Sequence, residues 1–212
     1  EMLRSLVGSE MCIRDSLKAR NGEFLGGYPA YGYRRSDGDR HSIVPDENAP
    51  IVKQIFELLL EGKSCYEVAK YLEQNLILTP RAFLAEKYGV YILEDNPYGA
   101  LRFEGEDVKS IKELDTKGNV LYCGTFSKTL APGLRVGQQA IETTAKILCN
   151  EGNVIICEDP AFVGSLNAFR SYGVKLVGVP MDDDGMKPDS LEEALRSNPT
   201  TKFIYTIPNF QN

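Results

Sequence analysis

Thr125-Phe126-Ser127-Lys128-Thr129-Leu130-Ala131-Pro132-Gly133-Leu134-Arg135 sets a lysine directly after a hydroxyl and seven residues ahead of an arginine. The Lys128 amine can condense with an aldehyde, the hydroxyls of Thr125 and Ser127 can donate to phosphate oxygens, and the Arg135 guanidinium can grip the same phosphate as a two-pronged fork. A phosphorylated aldehyde cofactor would engage all of these groups at once. Ser-Lys pairs are also common in solvated loops, so this spacing alone leaves both readings open. Upstream, Asp95 closes the run Tyr91-Ile92-Leu93-Glu94. A carboxylate there could keep a ring nitrogen protonated, with Tyr98, three residues on, donating to a ring oxygen. Equally, Asp95 could cap a turn ahead of Pro97.

Around these groups the chain alternates between two kinds of pattern. Short β-rich runs over 90–93, 120–123, 154–157, 175–179 and 202–207 alternate with helical stretches over 138–148 and 191–196. That alternation predicts an α/β unit, a mainly parallel sheet with flanking helices. Ligands of such sheets bind outside the carboxyl ends of the strands. The polar clusters Glu94-Asp95-Asn96, Gly124 to Lys128, and Pro208-Asn209-Phe210-Gln211-Asn212 fall at those ends.

Before Pro80 the pattern differs. Gly26-Gly27-Tyr28-Pro29-Ala30-Tyr31-Gly32-Tyr33-Arg34-Arg35 predicts an extended, turn-rich segment. Ile51, Val52, Ile55, Phe56, Leu58 and Leu59 recur at helical steps up to Gly62, and Ser64-Cys65-Tyr66-Glu67 forms a capping box that starts a second helix with Val68, Ala69 and Leu72. Two short helices around a Gly turn fit a helix-turn-helix and a structural hairpin alike.

Composition is that of an ordinary globular chain: 212 residues, 42% hydrophobic, 25% charged, net charge -6. Nothing in that balance argues for a nucleic-acid partner, and no apolar run approaches the roughly 20 residues that span a bilayer, so no membrane association is expected. Five cysteines at 12, 65, 123, 149 and 157 form neither a metal pair nor an even disulfide framework, and no secretory leader is recognisable; a reducing cytoplasm is expected. His41, the only histidine, is expected in a surface turn, and Asp182-Asp183-Asp184-Gly185 reads as a turn, so no metal is expected.

Glu94-Asp95-Asn96-Pro97-Tyr98-Gly99 and the stretch from Gly124 through Val136-Gly137 closely resemble class I/II aminotransferases of the aminoadipate and MocR-like kind. A second block resembles the same family: Gln138-Gln139-Ala140, Glu158-Asp159-Pro160-Ala161-Phe162, Gly178-Val179-Pro180-Met181-Asp182 and Ile207 to Asn212. The resemblance covers about residues 82–212. It implies a partial large domain of the fold type I class and pyridoxal phosphate (PLP) as cofactor. Lys128 would be the Schiff-base lysine and proton shuttle, Asp95 the ring-nitrogen partner and Tyr98 a ring-oxygen donor. Thr125, Ser127 and Arg135 would hold the phosphate, Phe162 would stack on the ring, and Asn212 would support the ring oxygen. The substrates implied are an amino acid and a 2-oxo acid, and the assembly implied is a homodimer.

In that family the block from Gln138 precedes the block carrying Asp95 and Lys128, whereas here it follows. The small domain that grips the substrate carboxylate has no counterpart in this sequence. Residues 18–80 resemble the recombinase domain of large serine recombinases, through the Gly26–33 segment, Ile51 to Leu58 and Glu61-Gly62-Lys63-Ser64. That resemblance implies DNA contact, yet the segment carries eight Lys/Arg against nine Asp/Glu, a weak phosphate-neutralising surface. Ser9-Glu10-Met11-Cys12-Ile13-Arg14-Asp15-Ser16 has no period and resembles a translated sequencing adapter. The expected organisation is therefore chimeric: an artefactual leader over 1–17, a recombinase-like segment over 18–80, an aminotransferase-like segment with the lysine over 81–137, and over 138–212 the segment that precedes it in the family. A non-functional assembly is the third reading beside enzyme fragment and DNA-binding fragment.

Overall fold

The structure is a computed structural model that describes residues 16–25, 29–99, 101, 109–125, 127, 130, 136–182 and 185–208. The chain divides into two compact units, residues 1–69 and 70–212.

The first unit contains a hairpin of β1 (Tyr33–Ser36) and β2 (Asp39–Pro45), followed by α1 (Ala49–Leu60). Ser36 pairs with Asp39 around Asp37-Gly38, and Gly38 adopts φ +90, a left-handed backbone that glycine enters without strain. His41 therefore lies in a strand and not in a turn: Asp37-Gly38 makes the reversal, and Nδ1 of His41 lies 3.4 Å from the Phe24 carbonyl oxygen. Helix α2 (Cys65–Gln74) begins at the capping box. The Ser64 N–H donates to Glu67 Oε2 at 2.8 Å, and the Glu67 N–H donates back to Ser64 Oγ at 3.3 Å.

The second unit is built on a six-stranded sheet, with α3 (Pro80–Tyr88), β3 (Tyr91–Asp95), β4 (Val120–Cys123), α4 (Val136–Leu148), β5 (Val154–Asp159), α5 (Val163–Arg170), β6 (Lys175–Asp182), β7 (Gly185–Met186), α6 (Pro188–Ser197) and β8 (Thr201–Thr206) following in chain order. The strand order is β4-β3-β8-β5-β6-β7, parallel throughout except for the short β7 at the edge. Both joins inferred from sequence fall in the first turn of a helix, Pro80-Arg81 in α3 and Gly137-Gln138 in α4.

Strand β8 lies between β3 and β5, with Leu93 opposite Tyr205 and Cys157 opposite Tyr205. The segments before and after Gly137 therefore build one sheet, because β8 fills the slot between β3 and β5. Alternation along the strands assigns the faces. Ile92, Ile156 and Ile204 pack under α3 and α6 with Leu84, Leu191 and Leu195. Leu93, Ile155, Phe203 and Tyr205 pack on the other face, under α4 and α5, with Ile141, Ala145 and Phe169.

Candidate functional site

All five parallel strands end at the same edge, so the residues that close β3, β4, β5 and β8 are neighbours whatever their separation in sequence. Asp95 ends β3, and the next N–H, that of Asn96, donates to the Cys123 carbonyl at the end of β4 at 2.9 Å. Beyond Cys123 the chain turns at Thr125, whose Oγ1 accepts the Ser127 N–H at 3.1 Å. Helix α4 starts against this turn. A Cβ on Gly137 would come within 3.1 Å of the Gly124 oxygen and of the Thr125 Cβ, so the absent side chain is what allows the approach. Amide N–H groups in the first turn of a helix lack intrahelical acceptors and carry partial positive charge. The hydroxyls of Thr125 and Ser127 beside them make a donor set suited to a phosphate.

Asp95 points to the α4 and α5 side of the sheet and is 8% exposed. Its Oδ2 accepts a hydrogen bond from the Tyr205 hydroxyl at 2.7 Å, and the Ser165 Oγ lies 2.9 Å from the same tyrosine oxygen. A tyrosine hydroxyl has one proton, which the acceptor-only carboxylate takes, so Ser165 donates in turn to Tyr205. Burial pushes the Asp95 carboxyl above its ordinary range, and the Tyr205 bond pulls it partly back. Cys123, also buried here, has its thiol pushed up to about 11 by burial and by the charge of Asp95, which leaves it a poor nucleophile at neutral pH.

Tyr98 sits half-buried in the turn after β3, where its carbonyl accepts the Leu101 N–H at 2.9 Å. Phe162 precedes the first turn of α5 and is 53% exposed, with its ring over Gly164, so it is no part of the core. Lys128, Arg135 and Asn212 lie outside the described residues. The structure thus brings Asp95, Thr125 and Ser127 to one edge, and their cofactor-holding chemistry is compatible with PLP on two counts: the phosphate donors beside a close-packed helix start, and a buried carboxylate that a protonated ring nitrogen would stabilise in its charged form.

On the opposite face lies a second buried polar group, which the motif spacing did not single out. Glu158 is 3% exposed. Its Oε1 accepts from the Thr206 hydroxyl at 2.6 Å and its Oε2 from the Ile207 N–H at 3.0 Å. Arg81 Nη1 stands 3.7 Å from Glu158 Oε1 and donates to the Thr206 hydroxyl oxygen, while its Nε is buried with no partner among the described residues. Glu94, fully buried, accepts the Ile111 and Lys112 N–H groups at 3.1 and 3.0 Å; burial pushes its carboxyl up, and those bonds oppose the shift. The signal that could have found this group is a carboxylate inside an apolar strand, in Leu93-Glu94 and Cys157-Glu158.

Known proteins divide over the chain. The family model described as Recombinase matches residues 46–127, running past Pro80 to include Asp95, Tyr98, Thr125 and Ser127. Aromatic-amino-acid aminotransferase 1 of Thermococcus litoralis is 59% identical over 59 residues, 28% of this chain and 14% of the relative. The 2-aminoadipate transaminase of Thermus thermophilus is 40% identical over 75 residues, 35% of this chain and 19% of the relative. Among solved structures, LysN, the α-aminoadipate aminotransferase of Thermus thermophilus in complex with N-(5'-phosphopyridoxyl)-L-leucine, is 37% identical over 35% of this chain and 19% of its own, with a TM-score of 0.34. The chain spans less than a fifth of the length of these curated relatives. One chain therefore carries a recombinase-like stretch together with stretches homologous to aminotransferases. Among the described residues no helix is long and apolar enough to cross a membrane.

Proposed function

We propose that residues 82–212 are the cofactor-binding part of a PLP-dependent aminotransferase, whose reaction moves an amino group between an amino acid and a 2-oxo acid. The observation that carries this reading is the bond from Tyr205 to Asp95, 2.7 Å long, which ties the second block to the first at the carboxyl edge of one sheet. PLP, when bound, supplies an aldehyde for amine exchange and a ring that takes up electrons. Asp95 holds a proton at the ring nitrogen; Thr125, Ser127 and the start of α4 bind the phosphate, joined by Arg135; Phe162 covers one ring face; Tyr98 and Asn212 serve the ring oxygen. Lys128 provides the amine that anchors the cofactor and afterwards moves the substrate α-proton. The roles of Lys128, Arg135 and Asn212 rest on the sequence resemblance. The proposal extends to a homodimer in the cytoplasm; the buried thiols Cys123, Cys149 and Cys157, each unpaired, suit a reducing compartment.

Borohydride reduction of the chain incubated with PLP, followed by peptide mass mapping, tests the anchor. A phosphopyridoxyl mass on the peptide containing Lys128 alone supports the assignment; label spread over surface lysines, or none, contradicts it.

A second reading is favoured by the family match over 46–127: the first unit and its continuation derive from a DNA-binding part of a serine recombinase. Eight basic against nine acidic residues over 18–80 limit its phosphate contacts. Fluorescence anisotropy with duplex DNA decides it: binding at about 50 mM salt that weakens steeply by about 200 mM supports this reading, and no binding at low salt removes it.

A further inference from the structure

We infer that Tyr205, backed by Ser165, is a positioning residue that fixes Oδ2 of Asp95 and leaves the other carboxylate oxygen to the cofactor's ring nitrogen, an inference that rests on the PLP reading above. The geometry is that of a braced clamp. Tyr205 is fully buried in the central strand, and its ring is held edge-on by Phe169 at 5.2 Å and 78°, with Phe169 itself edge-on to Phe203 at 5.6 Å and 74°. Ser165 and Phe169 stand four residues apart on α5, on the same helix face, so one helix fixes both the tilt of the ring and the proton of its hydroxyl. Ser165 is 0% exposed, so water does not compete for the tyrosine oxygen. Among the described residues Tyr205 is the only donor to the Asp95 carboxylate.

Consequences follow for both the orientation and the charge of Asp95. A lone carboxylate at the end of a strand can rotate about χ2, which is broad and roughly two-fold. Held at one oxygen it presents the other in one direction, which spares a ligand the ordering cost. The bond also favours the charged form, the form that a ring N–H⁺ needs. The titratable groups facing Asp95 among the described residues are Cys123 from β4 and Tyr205 from β8; α4 and α5 present Ile141, Ala145, Ser165 and Phe169.

The test uses the full chain with Tyr205→Phe, which keeps the ring and its packing, and Ser165→Ala as a milder second variant. The first readout needs no cofactor: the Asp95 carboxyl carbon followed by NMR across pH. Loss of the Tyr205 donor is expected to raise the Asp95 midpoint by about one unit, and Ser165→Ala by less in the same direction. The second readout is the dissociation constant for PLP, expected to rise about tenfold in Tyr205→Phe. An unchanged midpoint and unchanged affinity overturn the inference while leaving cofactor binding intact. A shifted midpoint in a chain whose wild type binds no PLP overturns the cofactor role and leaves Tyr205 as a structural brace; that outcome sinks the proposed function separately from the clamp.

Discussion

Arg81 Nη1 stands 3.7 Å from Glu158 Oε1, joining α3, which leads into β3, to the end of β5, 77 residues further along the chain. Together with the Asp95–Tyr205 bond on the opposite face, this pair makes the sheet edge a seam stitched from both sides. Removing Glu158 takes from the buried guanidinium the stronger of the two carboxylates that favour its charge, Glu158 and Glu94, whereas removing Arg81 leaves a carboxylate still bonded to Thr206 and the Ile207 N–H. Glu158→Ala should therefore destabilise the second unit by about 3 kcal/mol or more, and Arg81→Met by clearly less, in urea denaturation. Equal losses would show that the pair is not what holds this corner.

Gly137 governs the fit of α4 against the turn at Thr125. A methyl there would meet the Gly124 oxygen and Thr125 Cβ at 3.1 Å, and the neighbours must shift by a few tenths of an ångström. Gly137→Ala should weaken PLP binding several-fold, and Gly137→Val more severely, with the melting temperature of the alanine variant within a few degrees of wild type. Loss of stability without loss of affinity would place the effect in packing alone.

Asp115 predicts a pH dependence. Its side chain is 2% exposed. It accepts N–H bonds from Lys117, Gly118, Asn119 and Val120 at 2.8–3.1 Å and pairs with Lys112 at 2.8 Å. Burial alone would raise its pKa, but the Lys112 contact and the backbone donors outweigh it and hold the carboxyl well below the ordinary range. A depressed folded-state pKa gives stability that is complete above the unfolded value of about 3.9 and is lost as pH falls through the folded one. Between about pH 4 and pH 3 the wild type should lose more stability than Asp115→Asn, in denaturation at fixed temperature. Parallel losses in the two proteins would exclude Asp115 as the source.

The joins at Pro80-Arg81 and Gly137-Gln138 open a test on the gene itself. Thr79 caps α3 by accepting the Ala82 N–H at 3.3 Å, and α4 runs unbroken through Gly137-Gln138, so neither join interrupts an element. Genomic reads spanning both joins continuously would support a real permuted gene product, whereas reads that break at either would establish an assembly artefact.

Local signals mark most of the elements in the sequence. The five parallel strands were marked by β-branched runs with polar ends, and the Ser64–Glu67 box announced α2 because its two bonds are local. The hairpin escaped although Asp37-Gly38 is a turn signal, since Arg34, Arg35 and Arg40 obscure any apolar alternation. Helix α3 escaped because Pro80 read as a boundary; a proline in the first turn is equally a helix start, and Thr79 before it supplied the cap. Asp95 could be placed from sequence, but not its partners. Tyr205 and Ser165 are 110 and 40 residues away from the groups they bond, and only the strand order brings them there.

The absorbance spectrum of the purified chain with added PLP, before and after Lys128→Ala, shows whether the two blocks assemble one cofactor site around Lys128. A visible band is expected in the wild type and absent from the mutant. No band in either protein, or the same band in both, would contradict it.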